Sequence, residues 1–452
     1  MVRSGDPPRS HAERRAFGRE LRTRASRSAH SQWTPPPDRP DPIELLEESN
    51  RDRLPDLVPV RYGRMLVSPF AFLRGAAVVM ANDLAATPDT GARVQACGDA
   101  HLANFGVFAT PERNLIFDVN DFDETLPAPW EWDVKRLAVS VVVAARNLEI
   151  GHRRSRDIAH QCVAAYRTKL AELSKLGPLD IWYQRVDVEQ ILTIARERKS
   201  KDLRRALRIA KARQRTSLTA LPKLTKVVAG RRRIVDDPPL IVHERNEAGG
   251  AEKMLVQYAE SLPADRRPLL DHYEIVDTVR KVVGISSVGT RCYLTLMMDA
   301  DNRAPLFLQL KEATEPVAAP HVGEPRYENE GQRVVVGQRL LQAASDIFLG
   351  WTTDGAHDYY VRQFRDMKGS VNLDVMTDRG FAEYSVICGR TLARAHARSC
   401  DPTIVSAYLG NGTQFDRAVG EFAEAYADQT ERDYAALDAA VKAGRVRAMR
   451  NC

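Results

Sequence analysis

Apolar and polar positions along this chain fall into successive textures. From Ser68 to Gly91, "SPFAFLRGAAVVMANDLAATPDTG" carries an apolar stretch at helical spacing that Pro and Gly signals close. It predicts a helix that delivers the chain into "VQACGDAH". Farther on, Val134, Leu137, Ala138, Val141, Val142 and Ala145 repeat on one helical face behind Asp133, placed as N-cap, which predicts a buried central helix. Residues 152–225 read as several helices, one of them basic, and "RRRIVDDPPLIVHE" as a loop or short strands. After about Tyr273 the texture changes. "VVGISSVGTRCYLTLMMDADNRAPLFLQLKEA" holds two or three β-rich runs joined by Gly and Asp-Asn turns, which predicts a small antiparallel sheet. "GFAEYSVICGRTLARAHARS" then reads as an amphipathic helix, and "FAEAYADQTERDYAALDAAVKA" lies near the end. At the other end, residues 1–45 are rich in Arg, Ser and Pro, and "WTPPPDRPDP" blocks regular structure, so a mobile arm is expected.

Size and composition narrow the picture. With 452 residues, 44% of them apolar, the chain can build two cores, since single cores seldom grow beyond roughly 250–300 residues. Six cysteines stand without CxxC spacing, which argues against a zinc site or a disulfide framework and for reduced thiols in the cytoplasm. The first thirty residues hold no apolar run of signal-peptide length, and no window approaches about 18 uninterrupted apolar residues, so no export or membrane span is expected. The net charge of +6 is modest, but between Ala195 and Arg233 fifteen Lys or Arg face only Glu197 and Asp202. Few aromatics interleave there, so a solvated helix face is favoured over a nucleic-acid site.

Chemistry concentrates between Cys97 and Glu124, "CGDAHLANFGVFATPERNLIFDVNDFDE". Asp99 and Asn104 sit five positions apart in a polar turn, the strand "NLIF" follows, and an acidic run holds Asp118, Asn120, Asp121 and Asp123. Phosphoryl transfer asks the protein for a carboxylate to orient or deprotonate a hydroxyl, and for hard oxygen ligands that share a magnesium ion with substrate phosphates. Asp99 is the candidate base, Asn104, Asp121 and Asp123 are candidate metal ligands, and His101 reads as a loop brace.

This pattern resembles the catalytic core of aminoglycoside phosphotransferases, choline kinases and the wider protein-kinase-like superfamily. Their Gly-Asp-x-His-x-x-Asn loop and strand ending in Asp-Phe match Gly98, Asp99, His101, Asn104, Asp121 and Phe122. The resemblance implies a catalytic base at Asp99, metal ligands at Asn104 and Asp121, and a buried aspartate at Asp133 that braces the loop. Cys97 stands where these families have His, and Asp123 where they have Gly. Over its whole length the chain also resembles the bacterial family called domain of unknown function 2252, through "RYGRM", "SPFAFLRGAA", "GDAHLANFG" and "NEGQRVVVGQR". That resemblance bears on fold, and the chemistry has to be argued from the site.

The nucleotide half is sought downstream. Gly284, Ser286 and Gly289 form a variant of the Gly-rich loop that covers ATP phosphates, and Lys311, ending "LFLQLKEA", stands like the strand lysine of kinase-like folds. Glu330 is its preferred helix partner, with Glu328 the competitor, and "HDYYVRQFRDMKGSV" resembles the last small-lobe strand and the hinge. Because the catalytic loop precedes these elements, the expectation is an α+β, two-lobed protein-kinase-like fold that is circularly permuted. Its divisions would be an arm over 1–45, a helical large lobe over 46–272, a small nucleotide-binding lobe over 273–375, and C-terminal helices over 376–452 packing on the large lobe. The expected function is an ATP- and Mg²⁺-dependent phosphotransferase acting on a hydroxyl of a small-molecule acceptor. The alternatives are an ATP-binding pseudokinase or nucleotidyl transferase, and a nucleic-acid-binding protein working through 195–233. A metallophosphoesterase is disfavoured, because the upstream Asp-x-His and downstream Gly-Asn-His of a two-metal site are missing.

Overall fold

The helix Trp130–Asn147 is buried along most of its length, and the larger body is built around it. The structure, a computed structural model, describes residues 10–197, 216–243, 248–323, 327–364 and 366–449. Within it this helix packs against His152–Leu173, Asp378–Ala397 and Gln414–Lys442. All six apolar positions expected on its inner face lie in the core. The helix starts at Trp130, ahead of Asp133, so Asp133 is not its N-cap and its carboxylate is free for other partners. Two more charges are buried on the same helix. Glu131 accepts from Thr90 N at 2.8 Å, and Lys135 Nζ donates to Thr87 Oγ1 at 2.8 Å while lying 4.9 Å from the Phe422 ring centre. Burial pushes the Glu131 carboxyl up and the Lys135 ammonium down.

The arm expected to be mobile is ordered from Ser10 onward. Ser10 and Glu13 form a reciprocal capping box that opens the helix His11–Arg24. Arg22 then donates to Tyr408 O at 2.9 Å and Ala407 O at 2.6 Å, and Arg39 bonds Asp83 and Asp433. The arm's arginines thus find acceptors on the Asp83 helix and on C-terminal helices, which local composition does not disclose.

The chain is α+β, with small antiparallel sheets. The largest has six strands in the order Gly350–Thr353, Asp358–Gln363, Pro305–Ala313, Cys292–Asp299, Tyr273–Lys281, Ile241–Val242. Pro305–Ala313 is buried at every position, so both faces of the sheet need a cover. On one face Leu306, Leu308 and Leu310 meet Met254, Leu255 and Tyr258; on the other, Phe307 meets Ala220, Ile234 and Ile241. The helices Ser217–Leu224 and Ala248–Ser261 therefore cover the sheet from either face.

A separate three-stranded sheet orders Gly369–Ser370, Phe105–Ala109 and Leu115–Val119. The chain that leaves Asp358–Gln363 thus pairs next with Phe105–Ala109, the strand that follows the Asp99–Asn104 loop. Residues 198–215, the densest part of the basic segment, lie outside the described residues. Lys223 lies in the helix Ser217–Leu224, and Lys226 and Arg231 to Arg233 lie on the hairpin Thr225–Val228/Arg231–Ile234. Among the described residues no helix is long and apolar enough to cross a membrane.

One buried ion pair tests this packing. Arg394, on the helix Asp378–Ala397, pairs with Asp118 on the strand Leu115–Val119, and both side chains are only 1% exposed. Arg394→Ala leaves a buried carboxylate without its cation, so stability should fall by about 3–5 kcal/mol, read as a lower urea midpoint. Adding Asp118→Asn should recover part of the loss, because the amide keeps polar contacts without the charge.

Candidate functional site

Two backbone amides set the course of the Asp99–Asn104 loop. Cys97 N and Gly98 N donate to the Asp133 carboxylate at 2.7 and 3.1 Å, and His396 Nε2 lies 3.0 Å from the same group. Tyr166 OH, 2.9 Å from His396 Nδ1, completes the brace. Gly98 has φ of +80°, and a Cβ there would come within 1.9 Å of Glu124 O, so the position demands glycine. One turn along the central helix from Asp133, Arg136 donates through Nε and Nη2 to Asp99 Oδ1 at 2.8 and 2.6 Å. A further turn on, Ser140 Oγ accepts from Leu102 N at 3.1 Å. A single helix face thus grips the loop at three points.

Burial alone would raise the Asp99 pKa, but Arg136 beside it holds the carboxyl below the ordinary aspartate value. Its Oδ2 lies 3.5 Å from His101 Nε2. Burial outweighs Asp99 and brings the His101 imidazole down to about 3, so His101 is neutral at ordinary pH, in keeping with a brace. Asn104 spends Nδ2 on Asp99 O at 2.7 Å, and its own carbonyl accepts from Asn120 N at 2.8 Å. Asn104 therefore couples the Asp99 loop to the acidic segment. The Cys97 thiol is 1% exposed, and burial together with Asp133 pushes its pKa far up, which removes thiolate character.

The acidic segment is held from the six-stranded sheet. Lys311, 2% exposed, bonds Asp123 across 188 residues of sequence, and its Nζ lies 3.5 Å from Asp121 Oδ1. Burial opposes the ammonium, yet the two aspartates hold its pKa well up. Asp123 also accepts from Tyr360 OH at 2.8 Å and Ser287 Oγ at 3.3 Å. Burial and the neighbouring Asp123 raise the Asp121 carboxyl, whereas Lys311 overcomes burial and lowers Asp123. Asp121 Oδ1 has no hydrogen-bond partner. Arg333 fastens the segment's backbone, donating to Asp123 O and Thr314 O at 2.8 Å and to Thr125 O at 2.7 Å.

Several expected residues sit differently. Glu330 pairs with Arg333 one turn along its own helix, and its backbone N–H bonds Asp358; the acids beside Lys311 are Asp123 and Asp121. Glu328 is exposed. In the Gly-rich turn, Gly284 and Gly289 adopt φ of +65° and +91°. Arg53 Nη1 takes the Ser286 carbonyl at 2.8 Å and the Val288 carbonyl at 2.7 Å, which turns Ser287, not Ser286, onto Asp123. Asp123 is thus occupied by Lys311, Tyr360 and Ser287, whereas Asp121 Oδ1 has only the 3.5 Å approach of Lys311 and no hydrogen bond. Among the expected ligands, Asp121 alone has a buried carboxylate oxygen, Oδ1, without a hydrogen bond.

Arg136 was legible in principle, three residues after Asp133 in a helical run. Tyr360 was not: it stands opposite Lys311 in the strand register, and that register exists only once the sheet forms. Among the described residues no group of three or more His, Cys, Asp or Glu converges as a metal cage. A cation held by Asn104 and Asp121 would complete its shell with water and substrate oxygens, as magnesium prefers.

A cleft of about 500 Å³ lies beside the loop, lined by Phe70, Arg74, Ala103, Gly284, Ile285 and Leu373. Two larger cavities, of about 890 and 630 Å³, lie elsewhere, and none of the expected site residues lines them. The family model described as "Uncharacterized protein conserved in bacteria (DUF2252)" matches residues 53–440. No curated protein and no solved structure matches the chain.

The buried imidazole of His101 makes a pH prediction. The fold keeps it neutral down to about 3, whereas an unfolded chain protonates it near 6.5. Between those values the unfolded state binds more protons, so this group's contribution is complete above about 6.5 and is lost as pH falls toward 3. His101→Gln should flatten that part of the stability profile, measured by urea denaturation at stepped pH. An unchanged slope would mean that His101 does not titrate with folding.

Proposed function

The chain belongs to this bacterial protein family, and from that premise and the geometry above we propose that it is an ATP- and Mg²⁺-dependent phosphotransferase acting on a hydroxyl of a small-molecule acceptor. In this reading the fold is kinase-like and two-lobed, in circularly permuted order. One observation carries it: Lys311, on a sheet strand, meets Asp123 and Asp121 beside the Asp99–Asn104 loop, although the loop precedes the strand in sequence. The direct passage from Asp358–Gln363 to a strand paired with Phe105–Ala109 supports the same reading, since it links the sheet to the catalytic segment as a hinge would.

Each residue then has a task. Asp99, with Oδ1 taken by Arg136, offers Oδ2 to the acceptor hydroxyl and receives its proton as the oxygen–phosphorus bond forms. Asn104 and Asp121 fit the magnesium ion, because Asp121 Oδ1 is a buried acceptor without a hydrogen-bond partner. When bound there, the ion would neutralise charge on the nucleotide's phosphates. Lys311 is poised to contact phosphate oxygens, and the Gly284–Gly289 turn lies against the same acids through Ser287. Tyr360 and Arg333 keep Asp123 and its backbone in place.

Three proteins test this: the parent, Asp121→Ala and Asp99→Ala, each titrated with MgATP and assayed for ADP release with water or a small-metabolite extract as acceptor. Asp121→Ala should weaken MgATP binding at least about tenfold. Asp99→Ala should keep binding and lose about 10²–10⁴ in turnover. A parent that does not bind MgATP would remove the reading, and pyrophosphate release in place of ADP would replace it with nucleotidyl transfer.

A further inference from the structure

Arg74 is the charge at this site that the scheme above leaves without a task. Its helix Pro69–Gly75 is firmly seated: Arg136 Nη2 donates to Leu73 O at 2.7 Å and Arg61 Nη2 to Gly75 O at 2.8 Å. The Arg74 guanidinium lies 5.9 Å from the Phe70 ring centre and lines the cleft of about 500 Å³. Its Nε is buried with no hydrogen-bond partner, and among the described residues it makes no ion pair, contrary to what a charge amid apolar residues suggests. Burial disfavours its charge, and the carboxylates that act on it are Asp99 and Asp121.

Asp121 Oδ1 also lacks a hydrogen-bond partner. Arg74 Nε at the cleft and Asp121 Oδ1 are thus buried polar atoms without hydrogen bonds, the latter only 3.5 Å from Lys311 Nζ. Leaving such groups unsatisfied is costly, most of all where charge is involved. A ligand that completes both presents anionic oxygens to Arg74 and tolerates a cation at Asp121, and a metal-bound phosphoryl group has both properties.

Resting on the phosphotransferase reading, we propose that Arg74 binds the oxygens of the transferring phosphoryl group, and that the adjoining cleft admits the acceptor. The acceptor oxygen forms its bond to phosphorus, the bond from phosphorus to the bridging oxygen breaks, ADP departs with that electron pair, and the hydroxyl proton passes to Asp99. Charge builds on the three remaining phosphoryl oxygens, and the planar fork of a guanidinium matches them better than an ammonium does. The cleft's apolar wall, Phe70, Ile285 and Leu373 among it, suits the carbon skeleton of a small alcohol.

The test uses full-length protein and calorimetric titration with MgADP, with and without aluminium fluoride, which mimics the phosphoryl group in flight. In the parent, aluminium fluoride should tighten MgADP binding at least about tenfold. Arg74→Ala should bind MgADP as the parent does and gain nothing from the fluoride, and Arg74→Lys should regain only part. Tightening that survives in Arg74→Ala, or that is missing from the parent, overturns the proposal and leaves the phosphotransferase reading standing. A parent that binds no MgADP removes both. Arg74→Gln, which keeps the stem that packs on Phe70, serves if the alanine variant misfolds; tightening that survives in it counts equally against the proposal.

Discussion

A buried ammonium has to be neutralised, and that requirement at Lys311 organises the whole site. Lys311 is drawn out of water on a strand that is inaccessible along its length, and it finds its counter-charges in Asp123 and Asp121. Withdrawing either partner would leave a charge in a medium that solvates it poorly, which is costly enough to fix where the six-stranded sheet meets the acidic segment. Tyr360 and Ser287 take up further hydrogen-bonding capacity of Asp123, and Arg333 ties down the backbone on either side of Glu124. The segment from Asp121 to Thr125 is thus defined by groups from strands, turn and helix far along the chain.

The Asp99–Asn104 loop is fixed by a second device, the face of one buried helix. Asp133, Arg136 and Ser140 succeed each other at roughly one-turn intervals and each takes a different part of the loop: two amides, a carboxylate and a third amide. The arrangement keeps Asp99 ionised and directs one of its oxygens away from Arg136, while Asn104 links the loop to the acids. The departures at Cys97 and Asp123 from the resembled families find physical roles here. Cys97 contributes its amide to the Asp133 brace and buries an inert thiol, and Asp123 supplies the counter-charge for Lys311.

Much of the fold was legible because helices and strands leave local periods. The inner face of Trp130–Asn147, the β-rich run after Tyr273 and the amphipathic helix around Ser385 all follow from spacing within one element. The ordered helix His11–Arg24 was missed because a Pro-rich stretch beside it dominated the local composition, and its arginines are satisfied only by carbonyls near Tyr408. The cover supplied to the sheet by Ser217–Leu224 and Ala248–Ser261 was missed for the same reason, since a helix pattern does not say which surface it will cover.

At the site, the sequence by itself determined which side chains are candidates: Asp99, Asn104, Asp121 and Lys311 are marked by residue type and by spacing within a loop or a strand. Only the tertiary structure decided how they are partnered. It set Asp123 against Lys311 where Glu330 was expected, turned Ser287 inward in place of Ser286, and left Arg74 Nε and Asp121 Oδ1 without hydrogen bonds, with Arg74 lining a cleft. The physical reason is that spacing and periodicity are properties of neighbours in the chain, whereas a buried charge is satisfied by whatever the packing of distant elements brings within bonding distance.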